Sequence, residues 1–72
     1  MHMKEESFNL EMRKFLKKVG ITSQREIERA VQAALEAGTL KGDESLKAIM
    51  TLELPGLGLV HAMEGEIALD KD

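Results

Sequence analysis

The apolar residues of this chain change their period once. From Phe8 to Leu35 they recur every three or four residues, from Leu46 onward every second residue, and the switch falls across the short stretch Thr39 to Glu44. A period of 3.6 lines one face of a helix, and a period of 2 lines one face of a strand. A chain with one such switch is helical first and β second. The expected class is therefore α+β, with helices and strands segregated along the sequence.

In the first half, Phe8, Met12, Phe15, Leu16 and Val19 stand at i, i+4, i+7, i+8 and i+11. This spacing predicts an amphipathic helix over about 7–19, with Ser7 or Asn9 as its N-cap. Gly20 then reads as a helix stop, because a C-terminal residue in the left-handed conformation costs glycine least. The four residues Ser23-Gln24-Arg25-Glu26 follow the capping-box pattern, in which a Ser and a Glu three residues apart satisfy each other's unpaired amides. A second helix is expected over about 24–37, with Ile27, Ala30, Val31, Ala34 and Leu35 on its apolar face and Gly38 as its stop. The run from Val19 to Ile27 thus reads as a joint between two helices.

In the second half, Leu46, Ala48, Met50, Leu52 and Leu54 alternate with Lys47, Ile49, Thr51 and Glu53, and a second alternating run follows Pro55-Gly56-Leu57-Gly58. Two strands are expected, about 45–54 and 59–69, joined as an antiparallel hairpin. A four-residue loop sets Leu54 opposite Leu59, Leu52 opposite His61, Met50 opposite Met63 and Leu46 opposite Ile67. It also sets Lys47 opposite Glu66, a favourable cross-strand pair, and is preferred over a two-residue loop for that reason. The expected architecture is ααββ, with two helices packed on one face of the hairpin. The whole of 1–72 reads as a single small domain, with residues 1–6 and 70–72 frayed.

Length and composition then decide how such a fold survives. A core built from 72 residues supplies only about 3–5 kcal/mol, so small folds lean on disulfides, metals or a partner chain. The sequence has no cysteine, which removes disulfides and thiolate metal sites and leaves association as the expected support. A two-stranded sheet has two open edges, and the second face of this one still carries Ile49, Val60 and Ala62. Residues 1–41 carry a net charge of +2 and residues 42–72 a net charge of −5, an asymmetry that suits contact between unlike halves. No apolar run approaches the roughly 20 residues of a membrane-spanning helix, and the first residues lack the apolar core of a secretory signal. A cytoplasmic location is expected.

Each residue type that carries chemistry has a plainer reading beside it. His61 falls on the apolar hairpin face among Leu52, Met50 and Met63 and is the residue to inspect, yet a lone histidine is more often a satisfied core residue or one at the sheet margin than a ligand. Glu64 and Glu66 share the outer face, near Glu53. Paired carboxylates bind hard cations, but a charged face on a two-stranded sheet also serves to prevent edge-to-edge aggregation. The loop Pro55 to Gly58 is rich in glycine, but it joins two strands and lacks the strand-to-helix setting and lysine of a phosphate cradle. Arg13, Lys14, Lys17 and Lys18 lie at the end of the expected first helix, where the dipole favours cations, and read as a solvated face. No nucleophile stands at a recognisable distance from a base, so the chain is expected not to be an enzyme and to need no cofactor or metal.

The runs Phe8-Asn9, Arg13 through Glu28, Leu40-Lys41-Gly42, Met50-Thr51-Leu52, Gly56-Leu57-Gly58 and Glu64-Gly65-Glu66-Ile67 resemble a family of short uncharacterised bacterial proteins, a domain of unknown function. The segment RKFLKKVGITSQREIE is the most specific part. The resemblance implies a bacterial, stand-alone protein, and it implies no activity, ligand or catalytic residue.

The functional expectation is a small non-catalytic interaction module that self-associates through its hairpin, as a homodimer or with another protein chain. The candidate surface is Arg13, Lys17, Gln24, Arg25, Glu28 and Arg29 on the helices with Ile49 and Val60 on the hairpin. The alternative is a nucleic-acid-binding, helix-turn-helix-like protein using the basic helix faces. It is disfavoured because Glu53, Glu64 and Glu66 would face phosphate. No membrane partner and no small molecule is expected.

Overall fold

The computed structural model describes residues 3–71; the parts of the frayed-end expectation that fall on Met1, His2 and Asp72 lie outside the described residues. The element order is one helix, α1 (Glu5–Ala37), then strand β1 (Ser45–Leu54), a short 3-10 turn (Pro55–Leu57) and strand β2 (Leu59–Ala68). The class is α+β, and the expected ααββ order is corrected to αββ. The helix, up to Ala37, and the hairpin, from Gly38 onward, form two compact units, and each is described by itself.

The correction concerns the Val19 to Ile27 joint, which is continuous helix. Gly20 is not among the glycines with positive φ, so it adopts helical geometry and does not serve as a stop. Ser23 and Glu26 form no capping box; the Glu26 carboxylate instead accepts from Arg29 Nη1 at 3.2 Å, one turn on. The physical reason is a comparison of costs. A glycine inside a helix costs about 1 kcal/mol relative to alanine. Ending and restarting the helix leaves four amides and four carbonyls without intrahelical partners on the two sides of the break. The flanks are rich in Ala, Leu, Glu, Lys, Arg and Gln, all good helix formers, and Val19, Ser23 and Ile27 follow at i, i+4 and i+8, so the two apolar stripes join.

The ends of α1 obey simple rules. Glu5 and Glu6 occupy the first turn, where the dipole favours anions, and the Phe8 amide donates to the Lys4 carbonyl at 2.9 Å. Gly38, at φ 79°, follows Ala37 in the left-handed conformation that ends the helix, as expected. The placement of Arg13, Lys14, Lys17 and Lys18 at a helix C-terminus is also corrected: they lie in mid-helix, beyond the reach of the end charge.

The hairpin follows its expected register. Leu54 opposes Leu59, Leu52 opposes His61, Met50 opposes Met63, Lys47 opposes Glu66 and Leu46 opposes Ile67. The four-residue loop closes through the Gly58 amide, which donates to the Pro55 carbonyl at 3.2 Å, with Gly58 at φ 65°. Beyond Ala68, the Leu69 amide still donates to the Glu44 carbonyl at 3.0 Å, which ties off the open end of the hairpin. No described residue is buried, and the apolar side chains of both units are half-buried at most.

Candidate functional site

Continuity of α1 rearranges the polar candidates. Arg13, Lys17, Gln24 and Glu28 stand at i, i+4, i+11 and i+15, and on a helix that completes a turn every 3.6 residues these positions form one row. Lys14, Lys18, Arg25 and Arg29 repeat the same spacing one residue later and form a neighbouring row. The six helix candidates were divided between two expected helices; the structure places them in two adjacent rows of one. A shallow open groove between the rows is lined by Lys14, Lys17, Lys18, Ile21, Thr22 and Arg25. Two cations of the second row have acidic partners one turn away, Lys14 with Glu11 at 3.3 Å and Arg29 with Glu26 at 3.2 Å.

The helix-turn-helix alternative falls with the turn. A reading helix is set in the groove by a second helix crossing it, and a single uninterrupted helix has no such partner within this motif.

On the hairpin, the pairs Lys47 with Glu66, Ile49 with Glu64, Thr51 with Ala62 and Glu53 with Val60 share one face. Ile49 and Val60 are 59% and 69% exposed there, so this face combines two bare branched aliphatic side chains with four charges. The Lys47 ammonium passes over its direct opposite and pairs diagonally with Glu64 Oε1 at 3.0 Å. Glu66 meets the Ser45 hydroxyl instead, at 3.5 Å. The other face holds Leu46, Ala48, Met50, Leu52 and Leu54 with Leu59, His61, Met63 and Ile67. His61 lies three residue pairs from the loop and is exposed. It is therefore not a packed core histidine, and among the described residues no three His, Asp or Glu side chains gather where they would hold a metal ion.

One residue outside the expected sites organises the turn that leads into β1. The Glu44 carboxylate accepts from the Lys41 amide at 3.1 and 2.9 Å and from the Gly42 amide at 3.0 Å. The Lys41 amide bond, then that of Gly42, holds its pKa below the ordinary glutamate value. Successive amides in a turn make a concavity for an anion, and Gly42, at φ 110°, permits that turn. The sequence signal was an acidic residue just after a glycine, which the reading of Thr39 to Glu44 as the place where the period changes passed over.

These features define a class: a helix-plus-hairpin α+β unit with exposed apolar faces. Among the described residues no helix is long and apolar enough to cross a membrane. The chain belongs to a family of unknown function, DUF6494, whose model matches residues 3–70. No curated protein and no solved structure matches it.

Proposed function

We propose that this protein is a small non-catalytic interaction module that self-associates, with the hairpin supplying a contact between copies. The observation that carries the reading is surface. Each unit by itself leaves large apolar side chains uncovered, and exposed apolar patches are where proteins associate. Phe8, Phe15 and Leu16 on α1 and Ile49 and Val60 on the hairpin are among the large apolar side chains left exposed.

The hairpin suits the role because both of its edges carry unpaired backbone groups, and a second strand pair would satisfy them. The reading keeps the expected cytoplasmic location and a second copy as the first partner. Size-exclusion chromatography with light scattering tests it. A dimer at micromolar concentration is expected, and a monomer at high micromolar concentration with a fully protected hairpin in hydrogen exchange removes the reading.

A further inference from the structure

We propose that α1 seats the α1 of a second copy in an antiparallel pair that crosses at Gly20 and Ser23. The inference rests on the self-association reading and assigns the helix a contact that the hairpin alone does not provide. Met12, Leu16, Gly20, Ser23, Ile27 and Val31 lie within about 50° of one direction around the helix, at 100° per residue. Their spacing is symmetric about the point midway between Ile21 and Thr22. Met12 is as far before that point as Val31 is after it, Leu16 matches Ile27, and Gly20 matches Ser23.

A two-fold axis through that point therefore brings Met12 to the level of the second copy's Val31 and Leu16 to the level of its Ile27. Such an interface is isologous, the kind that closes a dimer and does not propagate. The two smallest side chains of the set fall at the crossing, where the backbones come nearest. A Cβ added at Gly20 meets nothing within 4 Å in its own unit, so no packing within α1 accounts for the glycine. Met12, Leu16 and Ile27 are exposed.

The charges suit the antiparallel direction. A parallel pair sets the Arg13 and Lys17 edge of one copy against the other edge of the second, away from its Gln24 and Glu28. The antiparallel pair sets Arg13 and Lys17, on one edge of the apolar stripe, beside the second copy's Gln24 and Glu28 on the same edge. Unlike charges then flank the contact twice, as at the edges of coiled-coil seams.

The test uses two full-length variants and their mixture. Arg13→Glu with Lys17→Glu leaves only acidic charges on that edge, and Glu28→Lys leaves only basic ones. Each variant alone is expected to associate at least tenfold more weakly than the natural chain, and an equimolar mixture is expected to restore the dimer. Gly20→Leu, which has room within its own unit, is expected to keep its helical circular dichroism and lose the dimer. If the natural chain is monomeric, both the self-association reading and this pairing fail. If it is dimeric while all three variants stay dimeric and Val60→Glu dissociates it, association runs through the hairpin and the α1 pairing is overturned.

Discussion

The Lys41 amide donates to both carboxylate oxygens of Glu44, at 3.1 and 2.9 Å, and so closes the turn before β1 on a charge. The bonds from the Lys41 and Gly42 amides favour the ionised form, which is why the Glu44 pKa lies below its ordinary value. A carboxylate whose pKa is depressed on folding contributes stability above its unfolded value, and that stability is lost as pH falls through the folded one. The 41–44 turn is expected to stay closed at neutral pH and to open on the acid side of the ordinary glutamate range. Amide exchange at Lys41 and Gly42, followed by NMR as pH is lowered, checks this. Glu44→Ala, which removes the acceptor, is expected to give fast exchange at both amides at neutral pH.

Gly20→Ala is expected to stabilise α1 by about 0.5–1 kcal/mol, because alanine loses less backbone entropy than glycine inside a helix. The added methyl has open space around it in its own unit. Helix content from circular dichroism at low micromolar concentration reads the change. A loss of helix would mean that Gly20 adopts a conformation alanine does not share.

Gly42→Ala is expected to act in the opposite direction. At φ 110° the backbone stands where L side chains are strained, at a cost of about 1–3 kcal/mol. Chemical denaturation of the two alanine variants side by side is expected to show a higher midpoint for Gly20→Ala and a lower one for Gly42→Ala.

Lys47 and Glu64 form an exposed diagonal pair, for which a coupling of about 0.2–1 kcal/mol is expected in a double-mutant cycle. Added salt is expected to weaken it. The same cycle between Lys47 and Glu66, the residue directly opposite, is expected to give a smaller value. A larger coupling to Glu66 would show that the ammonium prefers its direct partner.

The hairpin was legible in the sequence almost residue by residue. Alternation over 45–54 and 59–68 leaves one face assignment for each strand, and Pro55 to Gly58 set the loop length, so Leu52 opposite His61 and Met50 opposite Met63 followed. The choice of salt-bridge partner did not follow, because a lysine stem reaches the diagonal position as readily as the opposite one. The helix candidates were legible as residues but not as a surface. Arg13 and Gln24 share a row only once the helix between them is known to continue.

What the sequence determined by itself was the order of helix before hairpin, the end of the helix at Gly38 and the register of the strands. These depend on local periodicity and on glycine geometry, which neighbouring residues set. What only the tertiary structure decided was the run from Val19 to Ile27 and the exposure of His61. A glycine followed by a Ser and Glu three apart is compatible with a stop and restart or with an unbroken helix. The difference lies in whether the unpaired amides and carbonyls of a break find partners, and here the helix keeps them paired within itself.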